Sequence, residues 1–296
     1  RVLLMGIFAF SYRDSSLPKV SGPLLLGNFD GLHLGHQMLI EKAKEMGDPS
    51  VLLLDPPFQR EKKEKVLTTL FDKIRLFGRY GVNNVFVLKT DPSFFRLSKE
   101  DFMTLVLKKL QPSSLVVGED YSFGALRSGK ASDLKKEFQT FAYPLLKEDG
   151  VKVGSSLIKT LLLQGEVSKA ASFLGRPYEI CGKVEKGFQN GRKIKFPTAN
   201  LDPFEYVLPT RGVYCGSSFL RGKCYKSLIN VGEAPTVGKL SHNIVEVYLD
   251  GFEGDCYEET LYVDFAFYLR QEKKFSSLED LKEELQRNLE EMRKRL

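Results

Sequence analysis

The sequence predicts an α/β domain followed by a small antiparallel β-barrel that ends in a helix. In the first half, short apolar runs alternate with helical patterns, which is typical of a parallel sheet covered by helices on both faces. In the second half, short strand-like runs are separated by Gly, Pro and Asn, which favours a compact barrel. The pattern changes at Gly175-Arg176-Pro177, so we predict domains at residues 1–174 and 175–296.

Hydrophobic periodicity assigns the elements of the first half. Apolar runs predict strands at Val2–Phe10, Leu24–Leu26, Val51–Leu54, Val85–Leu88 and Leu115–Val117. The first of these runs is either a strand or an irregular end. Stripes at helical spacing predict helices at Gly35–Met46, Thr69–Tyr80, Lys99–Leu110, Ser156–Leu163 and Val167–Leu174. Ser98 precedes the third helix and is expected to cap it.

The second half contains regular short strands and one terminal helix. The predicted barrel strands are Val213–Phe219, Lys226–Val231, Ile244–Leu249 and Thr260–Tyr268. The terminal helix is indicated by an apolar stripe formed by Leu281, Leu285, Leu289, Met292 and Leu296. A stripe of this kind more often packs on a core than on a partner protein, so we expect it to face the core.

Composition and charge restrict the classes of function. The content of 42% hydrophobic and 28% charged residues is typical of a soluble globular protein, and we expect a cytoplasmic location. A net charge of +6 suits phosphate-rich small molecules. The sequence contains no basic stripe, so we predict neither a nucleic acid nor a membrane as partner. The four cysteines form no CxxC pair and are expected to be free thiols. The sequence leaves the oligomeric state open.

The first candidate site is the segment GNFDGLHLGH at residues 27–36, which follows a predicted strand and opens a predicted helix. Helix N-termini attract phosphates, and Gly35 allows the backbone to approach one closely. His33 and His36 are three residues apart and can point at one anion. This arrangement suits nucleotidyl transfer, in which positioning and charge stabilisation dominate. The alternative is a loop that holds two unrelated histidines.

The second candidate site combines a glycine-rich loop with the segment FPTANL at residues 196–201. Gly182, Gly187 and Gly191 could let the loop fold over phosphates, although glycines also serve hairpins. On extended backbone the oxygens of Thr198 and Asn200 share one face, and such ligands suit Mg²⁺ bound to ATP. The alternative is a proline turn that leads into a strand.

From about Gly22 to its last residue, the chain resembles the bifunctional prokaryotic riboflavin kinase/FAD synthetases. Beyond the two motifs, the resembling segments include LTTLFDKIRLFGRYGV (67–82), VVGEDYSFGALRSG (116–129), SSLIKTLLLQGEV (155–167), NVGEAPT (230–236) and LRQEKKFSSLEDL (269–281). The resemblance implies a Rossmann-like FMN adenylyltransferase domain and a riboflavin kinase domain. It also implies riboflavin, FMN and ATP as substrates, with Mg²⁺ as cofactor.

The resemblance also implies roles for individual residues. In the first domain the ATP phosphates would be held by Asn28, Asp30, His33, Gly35 and His36. Asp120 and Arg127 would lie by the nucleotide or flavin. The triphosphate would be covered by Ser155, Ser156 and Lys159. In the second domain, Thr198 and Asn200 would bind magnesium and nucleotide, and Glu246 would be the general base. Arg270 would face the flavin or form a surface salt bridge.

The chain departs from the family pattern at four places. Lys159 replaces the usual Arg, which keeps the charge but loses the bidentate fork. The usual F-x-P-H-P segment is here residues 54–58, without its histidine. Lys195 replaces a glycine before FPTANL, and Glu258 replaces the glycine of L-Y-G.

An FMN adenylyltransferase with a weak or inactive kinase module is therefore an alternative function, and a non-catalytic flavin-binding protein is another. A nucleic-acid-modifying relative of HxGH enzymes is a more distant one, because no basic and aromatic platform is visible.

Overall fold

The computed structural model describes residues 5–55, 65–148, 150–186, 196–203, 205–234, 242–273 and 275–296. The chain forms two compact units, Arg1–Ser155 and Ser156–Leu296. Ten strands belong to the first unit: β1 Gly6–Ser11, β2 Pro23–Leu26, β3 Ser50–Asp55, β4 Asn84–Lys89, β5 Ser114–Gly118, β6 Ser122–Phe123, β7 Gly129–Lys130, β8 Thr140–Tyr143, β9 Lys147–Glu148 and β10 Val151–Lys152. Its helices are α1 Leu34–Lys44, α2 Leu70–Arg79, α3 Lys99–Phe102, α4 Lys108–Leu110 and α5 Ala131–Leu134.

The first unit is built on a six-stranded parallel sheet with the order β1-β4-β3-β2-β5-β8. The strand β2 shows why both faces must be covered. Leu24 and Leu26 belong to one buried cluster, whereas Leu25 belongs to the cluster on the opposite side. All three side chains are buried, as expected for a parallel sheet between two layers of helices. The α/β prediction is confirmed.

Several features of this unit differ from the sequence expectation, among them the short elements β6, β7, β9, β10 and α5, which were not predicted. The predicted helix Lys99–Leu110 is capped by Ser98, which accepts from the Asp101 amide, but a π-helical turn at Met103–Leu107 interrupts it. The strand β8 was not predicted, because its four side chains are only half-buried and carry no clear alternation. The first apolar run contributes β1, with residues 1–4 outside the described part.

The second unit is a closed antiparallel barrel preceded and followed by helices. Its helices are α6 Ser155–Leu163, which starts at the edge of the first unit, α7 Val167–Leu174 and α8 Leu278–Arg295. Its strands are β11 Tyr178–Glu185, β12 Thr198–Leu201, β13 Gly212–Leu220, β14 Lys223–Ala234, β15 His242–Leu249 and β16 Thr260–Arg270. They pair in the order β11-β12-β15-β14-β13-β16. The barrel prediction is confirmed.

The two compact units divide earlier than the predicted boundary between residues 174 and 175. The reason is that α6 and α7 contact the barrel. The Thr210 amide donates to the Leu162 carbonyl, and the Ser168 hydroxyl donates to the Ala266 carbonyl. The predicted boundary coincides with the end of α7, where Gly175 adopts a left-handed conformation with φ of 68°, and it stays a prediction.

The apolar stripe of the terminal helix is only partly core. Leu289 and Met292 are buried in a cluster with Cys215 and Leu228, as expected. Leu281 and Leu285 are half-buried and line a cavity, and Leu296 is exposed. The predicted core packing of the stripe is therefore seen at Leu289 and Met292, while Leu281 and Leu285 border a cavity.

The barrel should be sensitive to a side chain at Gly216. A Cβ there would overlap the Asp264 carbonyl oxygen on the neighbouring strand, which cannot move without breaking the ladder. We expect Gly216→Ala to lower the free energy of unfolding by about 2–3 kcal/mol. Gly182→Ala in the same barrel is the matched control, because its Cβ would meet Leu201 at an ordinary 3.6 Å. Denaturant unfolding that gives equal stabilities for both variants would contradict the close approach.

Candidate active sites

The GNFDGLHLGH turn lies at the point where the strand order of the parallel sheet reverses. It follows β2, which pairs with β3 on one side and β5 on the other. In open parallel sheets, ligands bind beyond the carboxyl ends of the strands at such a switch point. The fold therefore places the segment at the edge where ligands bind in sheets of this kind.

The backbone of this turn is held in an uncommon conformation by buried apolar side chains. Phe29 and Leu32 have φ of 53° and 39°, and Gly31 between them has φ of 84°. Phe29 and Leu32 are completely buried, and the Phe29 ring packs edge-on against Phe77 at 5.1 Å. Non-glycine residues keep left-handed angles only where the surrounding structure over-determines them. Core packing thus shapes the turn.

Asp30 fastens the turn to two other segments. Its buried carboxylate accepts from the backbone amides of Leu67 at 2.8 Å and Thr68 at 3.1 Å. Its backbone carbonyl accepts from the Ser155 hydroxyl at 2.8 Å. The Thr68 hydroxyl in turn accepts from the Gly31 amide. These hydrogen bonds hold the turn against the segments around Leu67 and Ser155, and the role of Asp30 at the ATP phosphates stays a prediction.

His33 and His36 form a stacked pair at the start of α1. Their ring centroids are 3.7 Å apart, with an angle of 22° between the planes, and His33 is the N-cap residue. Burial lowers the pKa of His36 well below its usual value, and the neighbouring His33 and Lys73 lower it further. His36 is therefore neutral at neutral pH. An anion that binds beside it would favour its protonation.

A cavity of about 310 Å³ lies at the carboxyl ends of β2 and β3. Its apolar wall is formed largely by Phe94, Phe95, Phe102, Tyr121 and Phe123. Its polar groups include Asn28, Lys73, Ser122 and Arg127. Burial raises the pKa of the Tyr121 phenol, which stays neutral. An aromatic wall with a few polar groups at its rim fits a planar, largely apolar ring system.

The other predicted residues of the first domain are spread more widely. Arg127 lines the cavity and donates to the Ser122 hydroxyl at 2.7 Å. Asp120 forms an exposed ion pair with Lys152 at 2.6 Å and is not among the described residues that line the cavity. On α6, Ser156 is exposed and Lys159 is half-buried.

Sequence reasoning missed one polar residue of this cavity, Lys73 on α2. Its Nζ lies 3.5 Å from Asn28 Oδ1. The signal was present in the family-like segment 67–82, where it was treated only as helix. Residues 56–58 of the segment that lacks the family histidine lie outside the described residues.

In the barrel, polar side chains form a row across three neighbouring strands. Asn200 on β12 pairs in register with Glu246 on β15, which pairs with Asn230 on β14. The Asn230 amide lies 3.4 Å from a Glu246 carboxylate oxygen and donates to it. Thr198 is two residues before Asn200, so both side chains share one face of the strand. The register therefore makes Asn200 and Glu246 direct neighbours, with Thr198 two residues away along β12, and their shared role stays a prediction.

A second cavity, of about 420 Å³, opens beside this row. Thr198, Asn230, Glu246 and Arg270 are polar residues of its lining, and Leu281 of α8 is an apolar one. The cavity therefore joins a candidate base to an apolar surface large enough for a ring system.

Arg270 was expected either to face the flavin or to form a surface salt bridge. It lines the second cavity, and its Nε lies 2.9 Å from a Glu284 carboxylate oxygen and donates to Asn288 Oδ1 at 3.2 Å. The Arg270 and Glu284 side chains are only 17% and 13% exposed. The expected surface salt bridge is thus a largely buried one, because α8 covers it.

The departures from the family pattern can be checked only in part. Gly187, Gly191 and Lys195 lie outside the described residues. Glu258, at a family glycine, has φ of 62°, and its amide donates to the Val184 carbonyl at 2.9 Å. The turn therefore keeps a left-handed conformation that glycine adopts easily, at a cost of about 1 kcal/mol.

Comparison with known proteins finds one family model for each half of the chain. A family model described as FAD synthetase matches residues 21–160, and one described as riboflavin kinase matches residues 174–296. The bifunctional riboflavin kinase/FMN adenylyltransferase of Escherichia coli strain K12 is 32% identical, over 93% of this chain and 92% of that protein. The protein of the same name from Bacillus subtilis strain 168 is 30% identical, over 90% of each.

A solved structure shares the whole fold. It is a Streptococcus pneumoniae crystal structure described as a macrolide-efflux protein, with a TM-score of 0.84 and 27% identity over 97% of this chain and 99% of that chain. In the part of this chain that the structure describes, no helix is long and apolar enough to cross a membrane. Since relatives aligned over nine tenths of its length carry both activities in their names, this chain belongs to the bifunctional riboflavin kinase/FMN adenylyltransferase family.

Proposed function

We propose that this chain makes FAD in two ATP-dependent steps, phosphorylating riboflavin to FMN in the barrel and adenylylating FMN at the GNFDGLHLGH turn. The observation that carries the proposal is the presence of a separate cavity in each unit, each with an aromatic or apolar wall beside groups suited to phosphate chemistry. Family membership supports the same pair of reactions. The partners are then the small molecules riboflavin, FMN and ATP, and the cytoplasm, where ATP is abundant, is the proposed location.

In the adenylylation step, a phosphate oxygen of FMN attacks the α-phosphorus of ATP. A new P–O bond forms, and the bond to the β-phosphate oxygen breaks to release pyrophosphate. The flavin ring occupies the aromatic cavity, while His33, His36 and the amides at the start of α1 hold the ATP phosphates. A Cβ at Gly35 would lie 3.3 Å from the His33 ring, so glycine keeps the approach to this helix start open.

In the phosphorylation step, the ribityl 5′-hydroxyl attacks the γ-phosphorus of ATP, and ADP leaves. Glu246 accepts the hydroxyl proton, and the Asn230 amide holds the carboxylate in place. Thr198 and Asn200 offer the hard oxygen atoms that suit Mg²⁺, and this ion usually takes few protein ligands beside substrate phosphates. When bound, Mg²⁺ would neutralise phosphate charge.

The function with only the adenylylation step is less well supported. Its motivation was Lys195, which lies outside the described residues, and Glu258, which retains the left-handed turn. The polar row of the kinase site is complete in the described residues. Incubation with riboflavin, ATP and Mg²⁺, followed by chromatography of riboflavin, FMN and FAD, distinguishes the two functions. Formation of FAD from FMN but none of FMN from riboflavin would establish the one-activity alternative.

Replacing His36 should impair only the second reaction. We expect His36→Ala to slow FAD formation from FMN by about 10²–10³-fold, because a contact to the reacting phosphates is lost. FMN formation from riboflavin should not change, since its site is in the barrel. Lys42→Ala, which removes an exposed side chain from the same helix, is the matched control. Normal FAD formation by folded His36→Ala protein would exclude this role.

Replacing Glu246 should impair only the first reaction. Glu246→Gln keeps the shape and removes the basic group, so FMN formation should fall by about 10²–10⁴-fold. The rate of FAD formation from supplied FMN should stay within twofold of the parent. Glu253→Gln, at an exposed position beyond β15, is the control for loss of one carboxylate. If Glu246→Gln makes FMN at the parent rate, the base lies elsewhere.

Replacing Asn230 should lower the turnover of the kinase more than its riboflavin affinity. Without the amide, the Glu246 carboxylate loses one of the groups that orient it, and a hydrogen bond to a charged group contributes about tenfold. We therefore expect Asn230→Ala to reduce kcat for FMN formation about tenfold and to change KM for riboflavin by less than threefold. A large rise in KM at unchanged kcat would show that Asn230 binds substrate instead.

A further inference from the structure

Lys73 occupies the junction between the aromatic cavity and the GNFDGLHLGH turn. It is half-buried on α2, it lines the cavity of about 310 Å³, and its Nζ donates to Asn28 Oδ1 at 3.5 Å. Asn28 belongs to the turn and lines the same cavity. The ammonium group is therefore next to the first residues of the turn and to the place where a bound ring would end.

The charge of Lys73 acts on the histidine pair. Together with burial and His33, it lowers the pKa of His36. The ammonium group of Lys73 therefore contributes positive potential at the histidine pair. Asp30, the buried carboxylate of the same turn, accepts from two backbone amides. The lysine and the two histidines are stabilised when an anion binds beside them.

Two different phosphates have to meet at this junction in the proposed adenylylation, on which the present inference rests. The ATP phosphates need His33, His36 and the start of α1, which all belong to the turn and its helix. The attacking phosphate belongs to FMN, whose ring needs the cavity. Lys73 and Arg127 are cations that line that cavity, and Lys73 also contacts Asn28 of the turn.

We infer that Lys73 binds the phosphate of the flavin substrate and thereby makes this cavity select FMN over flavins that lack a phosphate. At neutral pH a phosphate monoester carries close to two negative charges, so an ammonium group at this position holds it strongly. The contact also directs one phosphate oxygen toward the α-phosphorus of ATP. Lys73 is thus a specificity-determining residue for the second reaction.

The test measures steady-state FAD formation by the full-length chain with three variants. Lys73→Met removes the charge and keeps an extended apolar stem. Lys73→Arg keeps the charge. Arg79→Gln removes one charge from the exposed last turn of the same helix and is the matched control. We expect Lys73→Met to raise KM for FMN at least tenfold and KM for ATP less than twofold. Lys73→Arg should recover most of the loss, and Arg79→Gln should match the parent.

Lumiflavin, the flavin ring without a ribityl chain, tests whether the effect concerns the phosphate. It cannot be phosphorylated, and it competes with FMN for the ring cavity. We expect its inhibition constant to be the same for the parent and Lys73→Met, which would also show that the cavity is intact. A parallel loss of lumiflavin affinity would overturn the inference, because Lys73 would then support the cavity itself.

The kinetic constants separate the remaining outcomes. A higher KM for ATP at an unchanged KM for FMN would assign Lys73 to the triphosphate and overturn the inference. Unchanged constants for both substrates would overturn it as well. Failure of the proposed function is a different result, since the parent protein itself would then form no FAD from FMN.

Discussion

The first active site depends on one buried carboxylate. Asp30 brings together three separate parts of the chain, since its side chain accepts from the amides of Leu67 and Thr68 and its carbonyl accepts from the Ser155 hydroxyl. The turn between them includes left-handed residues such as Phe29, and each such residue costs of order 1–3 kcal/mol. The hydrogen bonds of Asp30 and the burial of the Phe29 ring offset this strain, so the histidines at the start of α1 stay in place.

The same carboxylate explains how an acidic residue can belong to a phosphate site. Its negative charge is shared with backbone donors, while Lys73 lines the cavity and the His33–His36 pair lies at the start of α1. Burial is the main reason why the pKa of His36 is lowered, and the nearby His33 and Lys73 lower it further. A bound phosphate reverses the sign of the local potential, and the proton affinity of His36 then rises.

Sequence patterns identified what is local in the chain. The strand, turn and helix around residues 24–44 belong to one continuous segment, so their pattern could be recognised in the sequence. The histidine pair lies in the same segment and was predicted with them. The role of Asp30 could not be predicted, because its donors are 37 and 38 residues away and meet it only after the sheet has formed. Lys73 was missed for the same reason, since it is 45 residues from Asn28. The half-buried strand β8 carried no alternation to detect.

The residues proposed for the kinase site, in contrast, come from distant parts of the sequence. Asn200, Glu246 and Asn230 become neighbours only through the register of three antiparallel strands. A slip of one residue on β15 would turn Glu246 to the other face of the barrel and present Val245 or Val247 instead. Barrel closure is therefore part of the catalytic apparatus. The close approach of Gly216 to the Asp264 carbonyl, on the β13–β16 pairing, contributes to fixing that closure. A change in barrel packing should thus affect phosphorylation first, while the turn of the first unit keeps its own geometry.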